Sequence, residues 1–429
     1  MTKTAIAGAM AVVVAGAVVA NRPAIAGVSA DKPATTKRTS TSPSAGTRPA
    51  VPLAGLPSKP GPHVEKVKAL GSDSWVVLGA PAPDPVWGKA RGRAWTPKMP
   101  YAPDLGAAFL YGEGQHAFVK PDGRFQDDLW AYDVYGHRWI CVYPGSSLTE
   151  LRVALDKRGF EVGPDGDPVP VCQAGHGYGN MTYDTDARKL MFLPCGSPYS
   201  RSKLGARLTS LPAGMDRKRV RTCPWFYDTR TGRFERKYVE GAYPDGTNME
   251  ATVEYVSGKK QFFWIHVKTV WFYDPAVNAW VKSANKGAPP PFGIDPVACL
   301  DTKRDRVYLH KGDAFCVYDI KTETWLDLQP KAALPKGTGI GGVAETMTYD
   351  SASDVVILND YRQCPQKGIF VYDPSANAWT AEPRPIPKRI TDRTLLNAFY
   401  CPELNVHVFH GAGDSDDNGA VWVYRYAAR

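Results

Sequence analysis

The stretch FVYDPSANAW at 370–379 has a near-twin, WFYDPAVNAW, at 271–280, and what the two share recurs along the chain. A Tyr-Asp pair with an aromatic residue six positions after the Asp occurs at Asp133 and Trp139, Asp228 and Phe234, Asp274 and Trp280, Asp319 and Trp325, and Asp373 and Trp379. A further copy, VWVYRY at 421–426, puts Arg425 where the others have Asp. An offset held this constant is an internal repeat, and a repeat restricts the fold more tightly than composition does.

Each copy reads as a hairpin. Pairs such as Val371, Tyr372 and Val317, Tyr318 are β-formers whose side chains alternate between faces. The Asp opens a turn, because its carboxylate can accept from backbone N–H groups two residues on, and Pro275 or Pro374 pre-sets φ for a type I turn. The aromatic then begins the returning strand. Upstream of every hairpin stands a second recurring element: MPYAPDLGAAFLYGEG, MTYDTDARKLMFLPCG, VEYVSGKKQFFWIHV, ACLDTKRDRVYLHKG, MTYDSASDVVILNDY and AFYCPELNVHVFHG. Each is a short apolar strand, a polar turn and a more apolar strand. The unit is therefore four strands, repeated six times, with its Tyr (132, 227, 273, 318, 372, 424) spaced by 95, 46, 45, 54 and 52 residues. Four-stranded units at this period predict a β-propeller. An all-β fold with many tight turns also suits 40 Gly, 37 Pro and 11% aromatic residues.

The order of apolar strand, turn, strand, Tyr-Asp hairpin and Trp resembles the kelch repeat over about residues 75–429. The Tyr-Asp-turn-Trp half carries the resemblance. The adjacent glycines of a kelch unit are reduced here to Gly112 and Gly114, Gly411 and Gly413, or single residues. What the resemblance implies is an all-β, six-bladed kelch-type propeller, similar to the central domain of galactose oxidase. The sixth unit has no Trp strand of its own. Its missing piece stands in SDSWVVLGAP, where Trp75 precedes Val76, Val77 and Leu78, and this strand is expected to complete the last blade and leave no open edge. The 95-residue interval is expected to hold an inserted hairpin, in 151–171, and not a seventh blade.

The first 26 residues read as a secretory signal peptide: Lys3, an apolar run at 5–20, then Ala24, Ile25 and Ala26 as a small-x-small cleavage site, with cuts after Ala20 or Ala30 as alternatives. Sixteen apolar residues are short for a membrane span of about twenty, and no other segment is apolar enough to cross a bilayer. Residues 27–64, rich in Ala, Pro, Ser, Thr and Lys, read as a disordered linker. The propeller is assigned to 65–429, with insertions at about 142–175 and 195–223. The expected location is secreted, periplasmic or on the cell envelope. Eight cysteines in an exported chain suggest disulfides. Cys195 with Cys223 would staple the base of one insertion, and Cys141 with Cys172 would bracket the other. Cys299, Cys316, Cys364 and Cys401 are expected to be buried thiols. No Cys-x-x-Cys is present.

Connections between second and third strands, and from blade to blade, emerge on one face of a propeller, and function tends to sit in such loops. The 195–223 insertion carries Arg201, Lys203, Arg207, Arg217, Lys218, Arg219 and Arg221 against Asp216 alone, a local +6 in a chain of formal charge +9. That favours an anionic partner: an acidic polysaccharide or a protein, and not nucleic acid for an exported chain. The protein is expected to act as a monomer. Residues just before the innermost strands are expected to line the channel mouth on this face: His176, Tyr178, Asn180, Asn248, Glu250, Asp295, Glu345, Arg393 and Asn397. Among them His176, Glu250, Glu345 and Arg393 are candidates for acid–base work on a sugar.

Copper radical oxidases related to galactose oxidase also use kelch-like propellers, and they need two His, two Tyr and a Cys bonded to one Tyr. Only His176 lies near the expected mouth. His310, His407 and His410 fall on second strands or their ends, and His116 and His137 in peripheral loops. A metal needs convergent ligands, so the pattern does not point to a copper centre. No Gly-rich phosphate loop, zinc-protease helix or serine-nucleophile elbow is present, and no cofactor is expected. Two readings remain: a binding module for a protein or anionic glycan, and a carbohydrate-active enzyme (epimerase, lyase or hydrolase) with an axial acid–base pocket.

Overall fold

A computed structural model describes residues 51–93, 95–112, 120, 122–147, 154–170, 177–193, 216–245, 251–289, 296–312, 314–332, 345–360, 368–380, 384–386, 395–411 and 419–427. The hairpin phrase shapes the architecture directly. In five places the Tyr stands opposite the aromatic across an antiparallel pair: Tyr132 and Trp139, Tyr227 and Phe234, Tyr273 and Trp280, Tyr318 and Trp325, Tyr372 and Trp379. Ring centroids in these pairs are 4.9–5.4 Å apart, at tilted or edge-on angles that suit the quadrupoles of aromatic rings. The Asp carboxylate takes the turn N–H groups as expected; Asp373, for example, accepts from Ser375 and Ala376 at 2.7 and 3.0 Å. Two residues before each aromatic the backbone turns left-handed, at His137, Gly232, Asn278, Glu323 and Asn377 (φ 48° to 70°).

Each phrase forms the outer half of an antiparallel sheet, and six such sheets are present. Blade one is Tyr101–Ala102, Ala107–Tyr111, Leu129–Asp133 and Arg138–Tyr143. Blade two is Met181–Asp184, Lys189–Phe192, Trp225–Asp228 and Arg233–Arg236. Blade three is Thr252–Val256, Gln261–His266, Thr269–Asp274 and Ala279–Lys282. Blade four is Val297–Asp301, Arg306–Lys311, Ala314–Asp319 and Thr324–Leu326. Blade five is Glu345–Asp350, Val355–Asp360, Gly368–Asp373 and Ala378–Trp379, with Arg384–Pro385 also paired to its third strand. Blade six is Leu395–Cys401, Val406–Gly411 and Val421–Arg425, with Ser74–Gly79 as its outermost strand. The protein is therefore an all-β, six-bladed propeller.

The outer half of blade six is assembled from segments far apart in sequence. Trp75 stands opposite Tyr424 with centroids 4.8 Å apart, and Tyr424 donates its hydroxyl to Asp73 at 2.8 Å. Asp73 is two residues before Trp75 and left-handed (φ 52°), so it occupies the position that Asn278 and Asn377 hold in their own hairpins. With no turn to close at 425, the repeat has no use for Asp there. Arg425 instead donates to the carbonyls of Val67, Lys68, Leu70, Leu404 and Asn405. Three of those carbonyls belong to the end of the helix Pro62–Lys68 and the residues just after it, where C-terminal orphan acceptors and the helix dipole favour a cation.

That helix corrects the expected linker boundary. The composition of 51–64 predicts a tether, yet Leu53, Val64 and Val67 are buried. Pro62 occupies the first turn, where its missing N–H costs nothing. The segment is held to the turn of blade one by Ser58 Oγ donating to Asp133 at 2.6 Å and by Gly61 N–H donating to the Tyr135 carbonyl at 2.9 Å. Residues 1–50, with the signal-peptide reading and most of the linker, lie outside the described residues.

Neighbouring blades are joined all round the ring. Met99 N–H donates to the Ala398 carbonyl and Ala398 N–H to the Pro97 carbonyl between blades one and six, and Val253 N–H donates to the Gly179 carbonyl between two and three. Arg304 and Lys303 reach Asp354 between four and five, and Thr348 meets His407 between five and six. Blades three and four share the cluster of Phe263, Ile265, Ala298 and Val307. The long interval before blade two holds a small hairpin, Ala154–Leu155 with Glu161–Val162. Its Glu161 forms a buried 2.6 Å ion pair with Arg236, which pins the hairpin to blade two.

The expected disulfides are also corrected. Among the described residues none is formed, and Cys223, Cys299, Cys316 and Cys401 are free thiols. Cys223 is fully buried, and its Sγ accepts the Val239 N–H at 3.3 Å. Its expected partner Cys195 lies outside the described residues. Cys141 is packed in the core beside Trp130 and Trp139, and its expected partner Cys172 also lies outside them, as does Cys364.

Candidate functional site

The innermost strands converge on a cavity along the axis, of about 310 Å³. All six blades contribute to it. It lies where those strands run out into their turns, at Thr302, Ser351 and Pro402, and so towards the end of the axis opposite the strand starts where the mouth was expected. Each innermost strand places one residue of a recurring column here: Tyr101, Tyr183, Tyr255, Leu300, Tyr349 and Tyr400. The column exists because every innermost strand carries a Tyr or Leu at the residue before its last, just ahead of a tight turn.

Five phenols around this ring are committed. Tyr101 donates to Glu403 at 2.7 Å, Tyr183 to Asp104 at 2.8 Å and Tyr255 to Asp186 at 2.5 Å, each time to the turn of the preceding blade. Tyr349 and Tyr400 donate to Asp354 and Asn405 of their own turns, both at 2.8 Å. Burial pushes all five phenol pKa values up; for Tyr101, Tyr183, Tyr255 and Tyr349 a bonded carboxylate adds to that. They are protonated donors at neutral pH. In blade four the column residue is Leu300, and the tie to blade five is made by Arg304, which contacts both Asp301 and Asp354. Those contacts hold the Asp354 carboxyl well below the usual range.

The cavity wall also contains one ion pair. Lys98 Nζ lies 2.9 Å from Glu254 Oε1, both side chains being nearly buried, and it donates to the Val253 carbonyl at 2.5 Å. Lys98 comes from blade one and Glu254 from blade three, so the pair spans blade two. Burial raises the Glu254 pKa above the ordinary carboxylate value while the Lys98 charge opposes the rise. Cys299 lies on the same wall, and burial followed by the nearby Glu254 charge pushes its thiol pKa well up, which removes it as a nucleophile.

The residues expected at the other mouth have different roles. Glu345 is buried and accepts from the ring of His310, also buried, at 3.2 Å. Asn397 is buried, takes the Arg93 N–H on its carbonyl oxygen and donates to the carbonyls of Arg93 and Thr96, clamping the chain that enters blade one. Tyr178 and Asn180 are buried in the approach to blade two; Tyr178 is left-handed and stands edge-on to Trp95 at 6.3 Å. His176, Asn248, Glu250, Asp295 and Arg393 lie outside the described residues. So do Arg201, Lys203 and Arg207 of the basic insertion.

The end of that insertion folds as the short helix Arg217–Thr222, capped by Asp216, which accepts from the N–H groups of Lys218 and Arg219. Lys218 is exposed and pairs with Asp245 at 2.6 Å. Arg219 donates to the carbonyls of Val239 and Gly241 and lies 4.6 Å over the Tyr243 ring, so it anchors the helix. Arg221 is exposed.

Sequence reasoning missed the tyrosine column and the Lys98–Glu254 pair. The column was visible, since MPYAPD, MTYDTD, VEYVSG, MTYDSA and AFYCPE carry Tyr at one position. No family model matches the chain, and no characterised protein matches it in sequence.

Proposed function

We propose that this chain is an exported propeller of the kelch type that serves as a binding module for a protein or an anionic polysaccharide. The observation that carries the reading is the commitment, among the described residues, of the axial phenols, Cys299 and Glu345. The phenols of the axial ring end on carboxylates or Asn405, Cys299 is held protonated, and Glu345, an expected acid–base residue, is bonded to His310 away from the axial cavity. A rigid ring whose five phenols are already bonded suits recognition better than proton transfer, which needs a group near its working pKa and within reach of a substrate. The 195–223 segment adds the positive charge an anionic polymer would meet, with Lys218 and Arg221 exposed at its folded end.

The test is retention of the full-length protein on heparin and alginate resins across a salt gradient. Elution should shift to lower salt when Arg217, Lys218 and Arg221 are changed to Gln, while Arg219, which anchors the helix, is left in place. An unchanged elution position would remove this segment from the binding surface.

A further inference from the structure

We propose that the axial cavity is a binding site for one neutral sugar ring or two, independent of any polymer held by the 195–223 segment. At about 310 Å³ it is at the small end of ligand pockets, which run from roughly 300 to 1,000 Å³, so it admits a mono- or disaccharide and not a chain. Its walls include the five column tyrosines and Phe399, interleaved with the hydroxyls of Thr182, Thr302, Thr348 and Ser351. Aromatic faces carry negative charge density, and the C–H groups on one side of a pyranose carry the complementary positive charge. The tyrosine hydroxyls are tied back to the turns, so the ring walls are fixed before a ligand arrives, which lowers the entropic cost of binding.

The polar element of the wall selects the ligand's chemistry. Lys98 and Glu254 set a donor and an acceptor 2.9 Å apart. A vicinal diol presents the complementary arrangement: one hydroxyl accepts from the ammonium and its neighbour donates to the carboxylate. Both bonds are charge-assisted and so stronger than neutral ones. The pair sums to zero charge, and Asp186 and Glu403 stand at the tyrosine hydroxyls around it. A uronic acid would therefore enter an unfavourable potential, whereas an uncharged hexose would not.

Ligand-observed saturation-transfer NMR on the full-length protein tests this with D-glucose, D-galactose, D-mannose and their β-linked disaccharides, beside D-glucuronate, D-galacturonate and glycine. Transfer to at least one neutral sugar is expected, strongest at ring C–H protons, with the uronates and glycine weaker. Glu254→Gln keeps the shape of the wall and should weaken that sugar at least tenfold. Ser351→Trp, at an exposed mouth position, should abolish the signal by blocking entry without touching the core. If Glu254→Gln lowers the melting temperature by more than a few degrees, Ser351→Trp alone decides between the outcomes. The proposal is overturned by the absence of transfer to every neutral sugar, by a uronate or glycine binding more tightly, or by properly folded variants that bind as the parent does. Heparin retention unaffected by the sugar keeps this outcome distinct from that of the charged segment.

Discussion

Arg425→Met should unfasten the outermost strand of blade six. The guanidinium has five N–H donors, and its five bonds run to five carbonyls at 2.5 to 3.3 Å from a side chain in a residue only 7% exposed. A hydrogen bond to a charged group contributes about 1.5–3 kcal/mol, but burying the cation opposes that sum. Desolvation is indeed what lowers the Arg425 pKa from its usual value. Breaking a buried charged network costs about 3–5 kcal/mol. Met leaves no bare charge behind, so we take the lower figure, about 3 kcal/mol. At about 2.1 cal/mol/K per residue, a unit spanning Thr47–Arg429 has an unfolding entropy near 0.8 kcal/mol/K, which converts the loss to about 4 °C in melting temperature. The local effect is larger and more diagnostic. If Ser74–Gly79 exchanges by sub-global opening, its amides should exchange about a hundredfold faster, while Thr252–Val256 in blade three stays as protected as before. Arg425→Lys keeps the charge with three donors and should fall between. Unchanged exchange at 74–79, or an equal loss of protection in blades three and six, would refute the clamp.

Other consequences concern acid and reductant. His410 is fully buried beside Trp139 and Arg93, and burial followed by the Arg93 charge lowers its pKa from 6.5 to about 3. The folded value lies below the unfolded one, so its contribution is complete above about pH 6.5 and is lost as the pH falls towards 3. Burial lowers His137 to about 4, which adds to the same window. Melting temperature should therefore decline from pH 6.5 to 4.5, above the range where Asp350, at about 2, begins to matter. His410→Leu should flatten that decline, and parallel curves would exclude the residue. Because Cys223 is a free thiol, saturating dithiothreitol should leave the melting temperature unchanged; a fall of several degrees would reveal a bridge.

The blades were legible because a propeller repeats its local chemistry. An Asp that accepts turn N–H groups, a left-handed residue two before the ring and a Tyr opposite a Trp are short-range requirements, and each is written within eight residues at 271–280 or 370–379. The N-terminal segment was harder to read. Composition marks 51–64 as tether, since Pro and Gly fill six of its fourteen positions, yet Leu53 and Val64 bury their side chains. Arg425 stands out as a departure from the repeat, but its acceptors at Lys68 and Val67 are 357 and 358 residues away, beyond any local pattern.

The site was less legible for a physical reason that the repeat itself supplies. Long insertions point to the starts of the innermost strands, whereas the described cavity lies towards their ends. Equivalent positions in six blades mostly carry equivalent residues, so what distinguishes a functional axis is where the symmetry breaks. Three residues before the column Tyr stand Asn180, Thr252, Thr346 and Asn397, all uncharged, but Lys98 in blade one. One residue before it stand Thr182 and Thr348, but Glu254 in blade three. A buried charge is costly unless paired, and in sequence each of these is alone. Only the ring closes the distance of more than 150 residues between them, and the two departures meet at 2.9 Å on one wall. Scaffold stability alone would be served as well by Thr or Asn at both positions, as in the neighbouring blades. Two blades that bear a desolvation cost to set opposite charges side by side depart from the repeat at one point, and the proposed sugar site rests on that departure.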